Sequence, residues 1–114
     1  DVTARDLQKT DGQWARAKGF DTFCPIGPER PAPADLTALE VVTRVNGEER
    51  QRGTAREMAF AIPMLLAYVS QIMTLEPGDV LATGTPAGVG RLIAGDEVEV
   101  EVVGLSVVRH DRAG

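Results

Sequence analysis

The chain has 114 residues, with twelve Lys and Arg against seventeen Asp and Glu, a formal net charge of −5. That length supports roughly one domain. The acidic balance argues against a general nucleic-acid binder, which needs a basic stripe to displace counterions, and against a chain drawn to anionic membranes. Aromatic residues make up 4% of the chain, too few for a base-stacking platform.

The chain opens at Asp1 rather than Met, already inside a motif-like stretch, and reads as a fragment or a processed chain. Residues 1–18 are polar, with Val2, Leu7, Trp14 and Ala17 as apolar anchors. Asp6–Lys9 predicts a short helical turn and Asp11-Gly12 a reverse turn. A short strand is predicted near Asp21–Cys24. Cys24 is the single cysteine, which rules out an intrachain disulfide and a multi-cysteine zinc site. Its neighbours Phe23, Pro25 and Ile26 predict a buried thiol. Residues 29–36 carry Pro31 and Pro33 and read as a surface loop.

The clearest unit follows. Glu40–Val45 is rich in β-branched residues, and Asn46-Gly47 then precedes Glu48–Gln51. Asn-Gly between strand-like runs predicts a type I′ hairpin, because both residues tolerate positive φ. The second strand is so polar that it belongs at a sheet edge or faces solvent. Thr54–Glu57 fits a capping box. Met58, Ile62, Leu65, Leu66, Val69, Ile72 and Met73 then recur at helical spacing. Pro63 suits only a first turn, so the main helix is placed at about 62–72, with 54–61 a turn or a separate short helix. Its apolar side chains predict core packing.

Glu76–Asp79 reads as a turn and Val80–Thr83 as a short strand running into the glycine-rich segment Gly84–Gly90. Gly95-Asp96 predicts another turn. Glu97–Val102 alternates strictly, with valines toward one face and glutamates toward the other, and Leu105–Val108 is its expected partner. His110 is the only histidine and too isolated to be assigned as a base for Cys24. The order is mainly β with one good helix, an α+β chain without βαβ units or internal repeats. No run approaches the roughly 20 apolar residues of a membrane span, and no signal peptide is visible, so a cytoplasmic chain is expected.

Three stretches could carry chemistry. Thr83–Gly90 lacks the Gly-Lys-Ser/Thr ending of a P-loop and the spacing of a dinucleotide fingerprint, but its small residues let backbone N–H groups and hydroxyls approach a carboxylate or phosphate. Asp1–Gln8 gathers two acids, an arginine and an amide: a carboxylate can bind Mg²⁺, and Arg5 can clamp a substrate carboxylate. An Arg–Asp pair is more commonly a structural salt bridge. Lys18, between Ala17 and Gly19, could stabilise an enolate or simply be solvated. Glu97, Glu99 and Glu101 could share a metal, although a solvent-facing strand face is the commoner reason for such a pattern.

Together, Asp1–Gln8 (DVTARDLQ), Ala17–Pro28 (AKGFDTFCPIGP), Val45–Glu48 (VNGE) and Met73–Gly90 (MTLEPGDVLATGTPAGVG) resemble the fumarylacetoacetate hydrolase family, nearest its acylpyruvate hydrolase and 2-hydroxyhepta-2,4-diene-1,7-dioate isomerase branch. The resemblance runs over nearly the whole chain and in order. It implies that residues 1–114 are the C-terminal part of one catalytic domain, built as a mixed, curved β-roll or sandwich with flanking helices. It implies a divalent-metal enzyme, with Mg²⁺ or Mn²⁺, that hydrolyses a C–C bond of an acylpyruvate-type 2-oxo acid through an enolate, or that isomerises or decarboxylates a related enol; the other reading is a non-catalytic truncated module, since a lone Asp1 carboxylate does not hold Mg²⁺ tightly. Asp1 matches a metal ligand, two further carboxylates belonging to a Glu-x-Glu pair upstream of this segment. Gln8 and Lys18 match catalytic positions, and Arg5, Gly84 and Thr85 match substrate-binding ones. A His–Glu pair that activates water in the family hydrolases has no counterpart here; neither His110 nor the Glu97/Glu99 pair matches it or the metal pair. The resemblance implies a homodimer acting on a small-molecule substrate.

Overall fold

The computed structural model describes residues 1–111. Its organising element is the hairpin of β1 (Glu40–Val45) and β2 (Glu48–Thr54). Asn46 and Gly47 turn it with φ of 52° and 81°, the positive values a type I′ turn demands. Asn46 also pins the tip to the sheet: its Nδ2 donates to buried Asp96 Oδ1 at 2.8 Å, and its Oδ1 accepts from the Glu97 amide at 3.0 Å.

Two more strands, β3 (Glu97–Val102) and β4 (Ser106–Asp111), complete an antiparallel sheet ordered β2-β1-β3-β4. The polar strand β2 does lie at an edge, where unpaired backbone groups can meet water or a neighbouring loop. A shift in register between Thr43 and Arg44 marks a bulge in the hairpin. Alternation along β3 separates valines from glutamates as predicted, but the glutamate face is not bare. Arg44 NH1 donates to both Glu99 and Glu101 at 2.8 Å, and Arg109 Nε donates to Glu99 at 2.7 Å. A chain of ion pairs thus crosses β1, β3 and β4, with Glu99 and Glu101 partly buried beneath it. Val42, on the interior strand β1, has no exposed surface; Ala17 and Val45 are the other buried apolar residues among those described, Val45 on the opposite face of the sheet from Val42.

Two short helices precede the sheet, α1 (Arg5–Thr10) and α2 (Ala15–Lys18), and α3 (Ile62–Ser70) follows β2. Pro63 sits in the first turn of α3, where its missing N–H leaves no carbonyl unpaired. The Thr54–Glu57 pairing closes a separate 3-10 turn over Ala55–Glu57, the Thr54 amide donating to Glu57 Oε2 at 2.8 Å. No helix among the described residues is long and apolar enough to cross a membrane.

Four expectations are corrected. Asp21–Cys24 is a turn, not a strand: Thr22 has φ 68°, the Phe23 amide donates to Phe20 O at 3.0 Å, and Pro25 beyond it has no N–H to offer a ladder. Cys24 is exposed rather than buried, because that turn lies at the surface. Val80–Thr83 joins no sheet; it leads directly into Gly84 and Gly88, whose φ values of 95° and 104° break strand geometry. α3 has no buried residue. Ile62, Leu65 and Val69 are half-buried, while Met64, Leu66 and Tyr68 face outward. Its apolar residues run around the helix instead of forming one stripe, so a single packing face cannot cover them.

Candidate active site

The segment Asp1–Ala4 is extended and tied to the α2 region by two backbone bonds, Val2 N–H to Phe23 O at 2.8 Å and Ala4 N–H to Ala17 O at 2.9 Å. In an extended segment residues i and i+2 share a side, so Asp1 and Thr3 both reach Lys18. Lys18 Nζ donates to Asp1 Oδ2 at 2.7 Å and to Thr3 Oγ1 at 3.0 Å. Backbone geometry fixes Lys18 from both sides. Ala17 before it is wholly buried, and a Cβ on Gly19 after it would stand 2.4 Å from the Ala15 carbonyl oxygen. The turn joining α1 to α2 is held by Arg16, which grips Asp11 through Nε at 2.9 Å and NH2 at 2.6 Å. Those hydrogen bonds hold the Asp11 carboxyl below its ordinary value.

On α1, Arg5 NH1 donates to Gln8 Oε1, one helical turn away. Arg5 is exposed and Gln8 half-buried, on the helix that begins four residues after Asp1.

Gly84 and Thr85 stand in a second group, against the edge strand β2. Gln51 Nε2 donates to Thr85 Oγ1 at 2.8 Å and to the Pro86 carbonyl at 2.9 Å. A Cβ on Gly88 would stand 2.1 Å from the Arg50 carbonyl oxygen, and one on Gly53 would meet the Pro86 ring at 2.9 Å. The loop therefore lies flat along Arg50–Gly53. Gly84, at φ 95°, has open space around it.

The structure thus unites Asp1 with Lys18, and Arg5 with Gln8. Among the described residues no hydrogen bond joins either pair to Thr85 or Gly84. Two cavities, of about 150 and 390 Å³, lie around Leu39 and Leu105 and around Arg30 and Ser106, and none of the six predicted residues lines them. Two further residues belong to the constellation, Thr3 and Gln51. The i, i+2 alternation from Asp1 points to Thr3; Gln51 lies 34 residues from Thr85 and no local pattern marks it.

A divalent cation of the Mg²⁺ kind wants several oxygen ligands, usually more than one of them a carboxylate. Among the described residues no three His, Cys, Asp or Glu side chains gather in one place. Asp1 offers a single carboxylate, already paired with an ammonium. These residues alone do not make a metal site. Glu97, Glu99 and Glu101 do not make one either, since Glu99 and Glu101 are spent on Arg44 and Arg109.

The described residues form an α+β unit, an antiparallel sheet preceded by two short helices that carry Arg5, Gln8 and Lys18. The C-terminal domain of fumarylacetoacetate hydrolase matches residues 1–111, and the chain belongs to that family of enzymes. It is 54% identical over 110 residues to an uncharacterized protein of Methanocaldococcus jannaschii, covering 96% of this chain and 46% of that one. It is 46% identical over 112 residues to the oxaloacetate tautomerase YisK of Bacillus subtilis, covering 90% of this chain and 37% of the relative. Among solved structures, a 5-carboxymethyl-2-hydroxymuconate delta-isomerase from Mycobacterium smegmatis superposes with a TM-score of 0.91 at 45% identity, over 97% of this chain and 44% of that one. A maleylpyruvate hydrolase from Sphingobium, in complex with manganese(II) and pyruvate, superposes with a TM-score of 0.81 at 35% identity, over 90% and 39%. The chain spans about half the length of the curated relatives it matches.

Proposed function

We propose that residues 1–114 form the C-terminal part of one catalytic domain in a divalent-metal enzyme that acts on 2-oxo acids or their enols, and that its reaction is hydrolysis of a C–C bond in an acylpyruvate-type substrate. The observation that carries this reading is the placement of Lys18 Nζ against Asp1 Oδ2 and Thr3 Oγ1. Residues 15 and 17 positions away in sequence hold the ammonium in one orientation at a partly open surface. Asp1 is one carboxylate of the Mg²⁺ or Mn²⁺ site in this reading, and its companions come from outside this chain. The manganese and pyruvate in the maleylpyruvate hydrolase structure support that choice of metal and ligand class.

The chain's own residues have distinct tasks. Arg5, Thr85 and the Gly84 amide are donors suited to a carboxylate. Gln8 holds the reacting carbonyl oxygen or water. Water adds to the distal carbonyl, the C–C bond breaks with its electron pair moving to the pyruvate fragment, and a carboxylic acid leaves. The enolate so formed takes a proton at carbon to become pyruvate. Lys18 supplies a fixed positive donor to the oxyanion as charge develops there. The homodimer implied by the resemblance belongs to the same proposal.

A second reading keeps the same enolate and omits the water. The proton returns to a different atom, and the reaction is a tautomerisation or isomerisation. The tautomerase and isomerase relatives favour it. Both readings predict that Lys18→Ala in the full-length enzyme lowers kcat about 100-fold or more, with the far-UV circular dichroism unchanged. An unchanged kcat overturns the role of Lys18. Parallel assays of pyruvate release from an acylpyruvate and of oxaloacetate enol-to-keto conversion separate the two readings.

A further inference from the structure

We propose that Gln51 is a positioning residue that turns the Thr85 hydroxyl proton toward the carboxylate of the substrate. The proposal rests on the reading of Thr85 as a substrate-binding residue and extends it to a residue on another element.

The argument begins with which atoms can donate. The Pro86 carbonyl oxygen only accepts, and it lies 2.9 Å from Gln51 Nε2. The amide orientation of Gln51 follows from that contact alone. The same nitrogen lies 2.8 Å from Thr85 Oγ1, so the threonine oxygen must be the acceptor in that bond. A hydroxyl that accepts from an amide keeps its single proton free for another partner. Thr85 is exposed while Gln51 is half-buried, so the free proton belongs on the open side of the loop. A carboxylate, which only accepts, is the ligand chemistry that such a hydroxyl meets best.

The rest of the loop's seating makes this orientation stiff. Gly88 presses on the Arg50 carbonyl and Pro86 on Gly53, one residue before and two residues after Gln51. Strand β2 acts as a ruler for Thr85, and Gln51 is the only side chain of the ruler that reaches the threonine oxygen among the described residues.

The test uses the full-length enzyme with its divalent metal and a 2-oxo acid substrate. Thr85→Val is expected to raise KM about ten-fold or more, since it removes a hydrogen bond to a charged group. Gln51→Met, of similar length but without a donor, is expected to raise KM several-fold with kcat within about two-fold. Gln51→Glu is expected to raise it more, because its carboxylate would take the Thr85 proton and add a negative charge beside the substrate. In the Thr85→Val background, Gln51→Met should change KM by less than two-fold. Pyruvate affinity, followed by protection of the metal-loaded enzyme against thermal unfolding, provides a readout independent of turnover and should weaken in the same order. If Thr85→Val leaves KM unchanged, the assignment of Thr85 falls and this proposal with it. If Thr85→Val raises KM while both Gln51 variants do not, or if the two effects multiply in the double variant, Gln51 does not act through Thr85.

Discussion

Gly88 is where a single hydrogen atom decides the backbone. Its φ is 104°, a region that L side chains rarely occupy, and a Cβ there would overlap the Arg50 carbonyl oxygen. Gly88→Ala is therefore expected to destabilise the full-length protein by about 2 kcal/mol, measured by denaturant unfolding. A loss below about half a kcal/mol would show that the loop lifts off β2 without resistance. At this scale the sequence was legible where chemistry is local. Asn46-Gly47 needs positive φ and takes it, and Thr54 finds Glu57 three residues on. It was illegible where the partner is distant. Nothing in the order of residues sets Gln51 beside Thr85, and Lys18 meets Asp1 only because two backbone bonds align the intervening turns. Cys24 misled for a related reason: apolar neighbours raise the odds of burial, but the turn leaves Cys24, Pro25 and Ile26 exposed while Phe23 alone is half-buried, against Phe20.

At the scale of elements, strict alternation along Glu97–Val102 was enough to assign the strand and its two faces. It could not identify what lies opposite. The register that sets Arg44 against Glu99, and Glu99 against Arg109, comes from β1 and β4 meeting β3 on either side. The consequence is electrostatic. Hydrogen bonds from Arg109 and then Arg44 hold the Glu99 carboxyl below its ordinary value of 4.5. A carboxyl lowered in the folded state binds protons less readily than in the unfolded one, so its contribution to stability is present above about pH 4.5 and is lost as pH falls through the folded value. Glu99→Gln is expected to lower the melting temperature at pH 7 by a few degrees, and the gap to the parent protein should narrow as the pH falls below about 4.5. Thermal melts at pH 7, 5 and 3 check this. A gap that stays constant with pH would mean that the lost packing, not the charge, accounts for the change. Helix α3 shows the opposite limit: its period gave its place to within two residues, yet period alone cannot tell a helix covered on all sides from one that still awaits cover.

For the whole molecule the decisive quantity is surface. The chain exposes 8582 Å², whereas a compact monomer of this size exposes about 6,000 Å². Its radius of gyration of 15.1 Å likewise exceeds the roughly 13 Å of a compact domain of equal length. The excess, about 2,500 Å², is some three times what one partner contributes to an ordinary specific interface. Part of it is apolar and clustered along the chain: Phe60, Met64, Tyr68, Ile72 and Met73 are each more than half exposed on or beside α3, and Val80, Val89 and Ile93 follow in the loops beyond. Two edge strands add unpaired backbone to that surface. Residues 1–114 expressed alone are therefore expected to self-associate. Sedimentation velocity between about 10 and 100 µM should show a mass above the monomer that rises with concentration, together with strong binding of a dye for exposed apolar surface. In the full-length protein the dye should bind weakly and the mass should not drift. A compact, dye-silent monomer from residues 1–114 would show that α3 and the loops beyond it close over one another in solution, and that the apolar surface needs no second chain segment to cover it.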